Sequence, residues 1–149
     1  MKALFLGLGS IGQRHLRNVK DILGEQLEIF VYRNTNHNLV IQDGNAFECV
    51  SLKEYYGYSQ VSSLDEGLTL NPDVVFITNP SAMHIDAALL SAKSKAHIFV
   101  EKPLSHNLEG VLELQELVEE NNLVAHVGYQ TRYNPCVTDV QSLLDEGRY

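Results

Sequence analysis

Short apolar runs alternate along the chain with amphipathic stretches of helical period. Residues 4–6 and 27–32 form apolar runs typical of buried strands, whereas residues 10–24 repeat apolar side chains at near-helical spacing. The alternation continues, and it predicts strands at 73–78, 97–100 and 123–127 and helices at 63–68, 82–92, 107–121 and 135–147. Strands rich in branched apolar residues that alternate with helices predict an α/β fold, a doubly wound parallel sheet covered by helices on both faces.

The segment after the second strand departs from this alternation. The chain turns polar at Arg33, and then apolar residues 39–41 and 46–50 flank Asp43-Gly44, a strong turn signal. We therefore predict a small β-hairpin where a doubly wound fold normally places a crossover helix. The tyrosines within residues 55–58 are expected to pack over this hairpin.

The composition narrows the classes of protein to which the chain can belong. Its 149 residues suit a single domain spanning residues 1–149. With 19 acidic and 11 basic residues the formal charge is -8, which argues against nucleic acid or an anionic membrane as a partner. No apolar run approaches the ~20 residues of a membrane span and no signal-peptide layout opens the chain, so we expect a cytoplasmic protein. Six histidines without ligand spacing and two distant cysteines predict neither a metal site nor a disulfide.

Glycine and polar residues directly follow the predicted strands. Ligands of parallel sheets bind beyond the carboxyl ends of the strands, so we expect these residues to converge on one edge of the sheet. They are residues 7–12, Tyr32-Arg33, Asn79, Glu101-Lys102 and Gly128.

The first of these groups, Gly7-Leu8-Gly9-Ser10-Ile11-Gly12, matches the fingerprint of a dinucleotide-binding turn between a strand and a helix. In such a turn Gly7 permits the tight bend, Gly9 lets the backbone approach a pyrophosphate, and Gly12 lets the helix pack against the sheet. The helix N-terminus, at Ser10 and Ile11, then holds the phosphates. These five residues are candidate cofactor-binding residues, although a glycine turn also occurs in flavin and sugar-nucleotide enzymes or as a purely structural turn.

The end of the second strand bears on which nicotinamide dinucleotide binds. An NAD site usually offers a carboxylate to the ribose about 20 residues after the glycines, and this chain offers Tyr32, Arg33 and Asn34 instead. A guanidinium suits both an adenosine 2′-phosphate and stacking on adenine, so Arg33 favours NADP over NAD. A solvated Arg33, with Asn34 holding a plain ribose, remains the other interpretation.

The triplet Glu101-Lys102-Pro103 directly follows a predicted buried strand. An ammonium at that place can hydrogen-bond an alcohol and stabilise the alkoxide-like charge that grows as hydride leaves, and it can relay a proton once desolvated. Lys102 is therefore the candidate catalytic residue, against the alternative of a lysine that points to water.

With these motifs in hand, the chain resembles the Gfo/Idh/MocA family of oxidoreductases over its whole length. Four segments carry the resemblance, and the order and spacing of the Glu-Lys-Pro triplet make it distinctive. The segments are Gly7-Leu8-Gly9-Ser10-Ile11-Gly12-Gln13-Arg14-His15, Thr78-Asn79-Pro80-Ser81-Ala82-Met83-His84, Glu101-Lys102-Pro103-Leu104 and Gly128-Tyr129-Gln130-Thr131-Arg132-Tyr133-Asn134-Pro135.

The resemblance implies a Rossmann domain that binds NAD or NADP, followed by a second domain that binds a sugar-like substrate and mediates oligomers. It also implies that Lys102 is catalytic and that Asn79, His84 and Glu101 lie near the cofactor. Arg132 and Tyr133, just before Pro135, match a stretch near the substrate.

Two departures from the family pattern shape the expectations. Members usually carry Pro-Asn where this chain has Asn79-Pro80. The second domain, which usually supplies an Asp/His pair that includes the general base, lies outside these 149 residues. We therefore expect this chain to be inactive alone, and homo-oligomers only where the second domain is present.

Three functions are compatible with these observations. The first is the cofactor half of an oxidoreductase that transfers hydride between NADP or NAD and a carbinol of a sugar, cyclitol or nucleotide sugar. The second is a separate dinucleotide-binding or regulatory module without catalysis. The third is NAD-dependent elimination or hydrolysis of glycosides.

Overall fold

The computed structural model of the chain describes residues 1–35 and 37–148. Within them the backbone forms eight strands and six α-helices. The strands are β1 (Lys2–Leu6), β2 (Glu28–Tyr32), β3 (Leu39–Gln42), β4 (Asn45–Glu48), β5 (Ser59–Val61), β6 (Val74–Ile77), β7 (His97–Val100) and β8 (Ala125–Val127). The helices are α1 (Ser10–Leu23), α2 (Leu52–Tyr56), α3 (Leu64–Thr69), α4 (His84–Lys93), α5 (Val111–Glu120) and α6 (Pro135–Asp145).

Six of the strands form one parallel sheet in the order β5-β2-β1-β6-β7-β8. The strand order reverses between β1 and β6, and crevices for ligands open at such a point. The register aligns Leu6 with both Tyr32 and Ile77, and Ile77 with Val100. The strand ends therefore stand in one row, which confirms the predicted α/β class and the predicted convergence on one edge.

Alternate side chains of the strands build a core on each face of the sheet. On one face Leu4 and Leu6 are buried among residues of α3, α4 and α5. On the other face Ala3 and Phe5 are buried with α1 and α2, and the ring of Phe5 stacks on Phe76 at a centroid distance of 4.5 Å.

The predicted hairpin is confirmed, but the segment after it holds two elements that the pattern did not predict. Helix α2 is only five residues long; the Ser51 side chain accepts a hydrogen bond from the Glu54 amide, and Gly57 ends the helix at φ 66°. Strand β5 pairs only with β2 at the sheet edge, and Ser59 and Gln60 are exposed. A short edge strand with polar side chains lacks the apolar run on which strand prediction depends.

Several helix ends also differ from the prediction. Helix α4 begins at His84 because Ser81–Met83 forms a separate 3₁₀ turn. Helix α5 begins at Val111 rather than at residue 107, since Gly110 precedes it in the left-handed conformation at φ 75°. Both cases place a turn where the sequence predicts the first turn of a helix.

Helix α6 lies on the surface along its whole length. Its apolar residues Val137, Val140, Leu143 and Leu144 are each 44 to 54% exposed, so the expected closing helix does not bury its apolar face against the sheet. Neither α6 nor any other helix in the described ranges combines the length and apolar character that crossing a membrane requires.

One buried amide joins the hairpin to the glycine turn. The Gln13 side-chain nitrogen donates to the carbonyl oxygens of Leu8 (3.1 Å) and Leu39 (2.9 Å). Its oxygen accepts from the Ile41 amide (2.8 Å) and from the Tyr56 hydroxyl (2.9 Å). All four hydrogen-bonding positions of the amide are therefore used, each by a different group.

Tyr56 contributes to the same network from α2. Burial raises the pKa of the Tyr56 phenol above its usual value, against the opposing effect of a hydrogen bond from Arg17. The phenol therefore keeps the proton that it donates to Gln13. This arrangement agrees with the expected packing of the tyrosines over the hairpin, to which Tyr55 adds a contact with Phe47.

We expect Gln13→Leu to lower the free energy of unfolding by about 2 kcal/mol or more, because it leaves buried partners on three segments without a hydrogen bond. Urea denaturation with matched m-values measures this change. Gln115→Leu on the exposed side of α5 is the matched control and should stay within about 0.5 kcal/mol of the native chain. Equal losses in the two variants would contradict a structural role for the Gln13 amide.

Candidate functional site

Two adjoining clefts lie along the row of strand ends. The first, of about 380 Å³, is bordered by residues 6–9 after β1, residues 32–35 after β2 and residues 78–80 after β6. The second, of about 350 Å³, continues past β6 to Glu101 and Lys102 after β7. Thr78 and Asn79 line both clefts, so an elongated ligand has a continuous path from β2 to β7.

The glycine turn approaches β6 so closely that two of its residues have no room for a side chain. Gly7 has φ 89°, and a Cβ there would lie 3.1 Å from the Asn79 backbone. A Cβ on Gly12 would lie 2.7 Å from both the Gly7 carbonyl oxygen and Thr78 Oγ1. Gly9 differs, because no atom of the described residues, apart from its own chain neighbours, lies within 4 Å of the position of its Cβ. The turn therefore packs against the end of β6 at Gly7 and Gly12 and is open to the cleft at Gly9.

The N-terminus of α1 has the features of an anion site. Gly9 is its N-cap and supplies no capping side chain, and no acidic residue lies in the first turn. The amides of Ser10 and Ile11 are thus available at the positive end of the helix dipole. This geometry suits a phosphate at the place where the sequence predicts a pyrophosphate.

Arg33 borders the first cleft together with Tyr32 and Asn34, as the sequence predicts, but most of its guanidinium is engaged by the protein. It donates to the carbonyl oxygens of Thr35 and His37 and, at 3.4 Å, to the Tyr58 hydroxyl. Two of its five N–H groups are left for a ligand. The residue therefore shapes the wall of the cleft in addition to any contact that it makes with a bound molecule.

Asn79 supplies a polar atom without a partner. Its Oδ1 is buried and accepts no hydrogen bond from the described part of the chain, although the residue lines both clefts. A buried acceptor left unpaired is costly, so any donor that reached this oxygen would be stabilising.

His84 lies beneath the second cleft and is 2% exposed. Its Nδ1 is 2.7 Å from the Pro103 carbonyl oxygen and its Nε2 is 2.8 Å from that of Asn79. Both ring nitrogens are therefore occupied by the backbone, and neither is free for a ligand.

Glu101 lines the second cleft, but both of its carboxylate oxygens have partners within the protein. Its Oε1 is 2.7 Å from Nε2 of His15 on α1, and its Oε2 accepts a hydrogen bond from the Lys102 amide at 3.2 Å. A Cβ on Gly128 would lie 3.1 Å from the same Oε1, so the carboxylate fills the space between α1 and the end of β8. The pair joins α1 to the end of β7.

Lys102 projects from this fixed strand end into the second cleft. Its side chain is exposed, and the Lys102–Pro103 peptide is cis. The desolvation expected from the sequence is not present around this residue in the 149-residue chain. Arg132 and Tyr133 line neither cleft; both are exposed, and the guanidinium carbon lies 6.0 Å from the tyrosine ring.

Sequence reasoning assigned no role to two residues that shape the site. Thr78 Oγ1 lies 3.1 Å from the Leu6 carbonyl oxygen and 2.9 Å from that of Gly7, so it fixes the start of the turn. Gln13 fixes the turn from the hairpin side. A threonine directly after an apolar strand and a glutamine directly after the last glycine were the available signals, and neither is specific.

Curated relatives align over nearly all of the chain. The scyllo-inositol 2-dehydrogenase (NAD(+)) of Bacillus subtilis (strain 168) is 27% identical over 150 residues, covering 99% of this chain and 41% of that protein. The myo-inositol 2-dehydrogenase of Thermotoga maritima is 26% identical over 149 residues, with 99% and 41% coverage. The chain thus spans about two fifths of the length of these relatives.

Solved structures show the same fold. The WlbA dehydrogenase from Bordetella pertussis in complex with NADH and UDP-GlcNAcA matches with a TM-score of 0.80 and 20% identity, covering 100% of this chain and 40% of that chain. The scyllo-inositol dehydrogenase from Lactobacillus casei with NAD(H) and scyllo-inositol matches at 0.77 and 21%, covering 99% and 42%.

The resemblance carried by the glycine turn and the Glu-Lys-Pro triplet is confirmed by a family model. The model describes the Gfo/Idh/MocA oxidoreductase family, with an NAD-binding Rossmann fold, and it matches residues 1–129. This chain therefore belongs to the Gfo/Idh/MocA family of oxidoreductases and carries its NAD-binding Rossmann fold.

Proposed function

We propose that this chain is the coenzyme-binding part of an oxidoreductase that acts on a carbinol of a sugar, cyclitol or nucleotide sugar. One observation carries the proposal: a single row of strand ends brings the open glycine turn, Asn79 and Lys102 to the walls of two adjoining clefts. The names of the relatives support the substrate class, since they include inositol dehydrogenases and a dehydrogenase crystallised with UDP-GlcNAcA.

The residues of the two clefts fit a dinucleotide. Gly9, Ser10 and Ile11 offer open backbone to a pyrophosphate, and residues 32–34 border the space for the adenosine. Asn79, which lines both clefts, would lie beside the nicotinamide half. When bound, the dinucleotide supplies a ring that takes up or gives a hydride.

Lys102 acts on the substrate oxygen in this proposal. As an ammonium it donates a hydrogen bond to that oxygen and stabilises the negative charge that develops on it. Glu101 holds the Lys102 amide, and His15 holds Glu101 in turn, so the lysine extends from a fixed backbone.

The proton that leaves the carbinol needs an acceptor of its own. Of the residues lining the second cleft, Glu101 is the only carboxylate among those that the structure describes, and it is bonded to His15. A base outside these residues, such as the Asp/His pair of a second domain, is therefore part of the proposal, and the 149-residue chain alone should bind coenzyme without turnover.

The glycine turn provides the first test of coenzyme binding. We expect Gly9→Ala to keep the unfolding midpoint, because its methyl group would clash with none of the described residues, and to weaken NAD binding at least about tenfold by blocking close approach of the pyrophosphate. Gly12→Ala is the contrasting variant and should lose about 1–3 kcal/mol of stability through its clash with Gly7 and Thr78. Calorimetric titration and thermal unfolding measure both effects. Unchanged NAD affinity in Gly9→Ala would contradict the proposed pyrophosphate position.

Arg33 tests the choice between the two coenzymes. If its two remaining N–H groups pair with a 2′-phosphate, Arg33→Ala should weaken NADP binding by about 1–3 kcal/mol more than NAD binding. Arg148→Ala removes the same charge at an exposed residue that lines neither cleft, and it serves as the control. Equal losses of affinity for NADP and NAD would show that Arg33 only shapes the cleft and does not bind a 2′-phosphate.

Lys102 tests the proposed chemistry in the whole protein, including any second domain. We expect Lys102→Met to lower kcat at least about 100-fold on whichever inositol or nucleotide sugar is oxidised, while NAD affinity stays within about twofold. Lys53→Met on the exposed side of α2 is the control and should leave both values unchanged. If the whole protein binds NAD but oxidises none of the inositols or nucleotide sugars tested, that result would favour a regulatory module instead.

A further inference from the structure

A cavity of about 300 Å³ lies between helix α1 and the β3–β4 hairpin, and the proposed function makes no use of it. This hairpin cavity is lined by Ser10, Ile11, Arg14 and Arg17 on α1 and by Ile41 and residues 43–46 on the hairpin. Ser10 and Ile11 also form the first turn of α1, where the proposed function places the pyrophosphate. The hairpin cavity therefore adjoins the proposed phosphate position.

The two arginines of the hairpin cavity differ in what they contact. Arg17 donates through Nη1 to the Ile41 carbonyl oxygen at 3.1 Å and to the Tyr56 hydroxyl at 2.9 Å, so the protein holds it against the hairpin. Arg14 is exposed, and among the residues that the structure describes its side chain forms neither a hydrogen bond nor an ion pair. The described part of the chain thus leaves all five N–H groups of Arg14 for a ligand.

The position of Arg14 on α1 directs it toward the first turn of the helix. Residues four apart lie on one face of a helix, and each Cα–Cβ bond is tilted toward the helix N-terminus. The rise from Ser10 to Arg14 is about 6 Å, which an arginine side chain can span. The guanidinium can therefore reach the place where the amides of Ser10 and Ile11 are available.

The charges of α1 run against the dipole of the helix. Negative charge is stabilising at a helix N-terminus and positive charge at its C-terminus. Helix α1 has no acidic residue in its first turn, carries Arg14 and Arg17 in its N-terminal half, and has its only acidic side chain, Asp21, near its C-terminal end. An anion bound at the first turn would offset this repulsion, because it would pair with both the helix end and Arg14.

We propose that Arg14 binds the coenzyme pyrophosphate from the hairpin cavity, beside the amides of the first turn of α1. The N-terminus of a helix offers roughly half an elementary charge, whereas each phosphate of the pyrophosphate carries a full negative charge. A guanidinium supplies a whole charge and a fork of donors that matches phosphate oxygens. This inference rests on the proposed function, which supplies the dinucleotide, and it adds a charged side chain to a phosphate site otherwise made of backbone.

Asp43 opposes such a ligand from the other wall of the hairpin cavity. Among the described residues that line the cavity it is the only carboxylate, and its side chain forms no ion pair with Arg14. It lies in the hairpin turn at φ 51°, a left-handed conformation that asparagine also tolerates. Asp43→Asn therefore removes the charge and keeps the turn.

Calorimetric titration with NAD tests the inference in two variants of opposite sign. Arg14→Gln should raise the Kd for NAD at least about threefold through the loss of a charge-assisted hydrogen bond. Asp43→Asn should lower the Kd about twofold, as expected for an exposed charge pair. Both changes should shrink as KCl is added, because salt screens exposed charges. ADP, which keeps the pyrophosphate and lacks the nicotinamide, should show the same changes.

Arg148→Gln and Asp139→Asn are the matched controls, since they remove the same charges at exposed residues that line neither the clefts nor the hairpin cavity, and both should keep the native Kd. Unchanged NAD affinity in Arg14→Gln, or a loss that salt does not diminish, would overturn the inference and leave the proposed function standing. Should Arg14→Gln fail to fold, equal affinities of Asp43→Asn and Asp139→Asn would overturn it instead. A native chain that binds no NAD would overturn both the inference and the proposed function.

Discussion

The site depends on how closely helix α1 approaches the ends of β1 and β6. At Gly12 the helix lies against the Gly7 carbonyl and the Thr78 hydroxyl, where a single added carbon would be 2.7 Å from both. This contact keeps the glycine turn tight, directs the N-terminus of α1 along the row of strand ends and leaves Gly9 open to the cleft.

Helix α1 also connects the two ends of the site. Gln13 and His15 are two residues apart, which places them on opposite sides of a helix that turns about 100° per residue. Gln13 reaches the hairpin and Tyr56, and His15 reaches Glu101 at the end of β7. Helix α1 therefore holds in place both the hairpin beside the first cleft and the strand end that carries Lys102.

Much of this was predictable from the sequence. The alternation of apolar runs and helical stretches predicts the parallel sheet, the glycine spacing predicts the turn, and Asp43-Gly44 predicts the hairpin. Helix α2 and strand β5 escaped prediction because five residues and three residues, respectively, are too few to show a period, and β5 is polar at the sheet edge.

Side-chain orientation was the part that spacing did not reveal. Glu101 and His84 follow strands in the sequence as candidate ligands do, yet the fold turns the first toward His15 and the second toward two carbonyls. Such partners come from segments 5 to 86 residues away, so they depend on tertiary packing. By contrast, Lys102 and Gly9 directly follow or lie close after strand ends, so the path of the backbone alone places them beside the clefts.

The four hydrogen bonds of the Gln13 amide limit how the hairpin could be exchanged between related domains. Two of its four partners, Leu39 and Ile41, belong to the hairpin, whereas Leu8 lies in the glycine turn and Tyr56 in α2. A chimera that grafts residues 39–48 onto a related domain would separate the donors from their acceptors. To keep these hydrogen bonds, a graft of the hairpin would have to bring along helix α2 as well, and the recipient would need a glutamine at the position of Gln13.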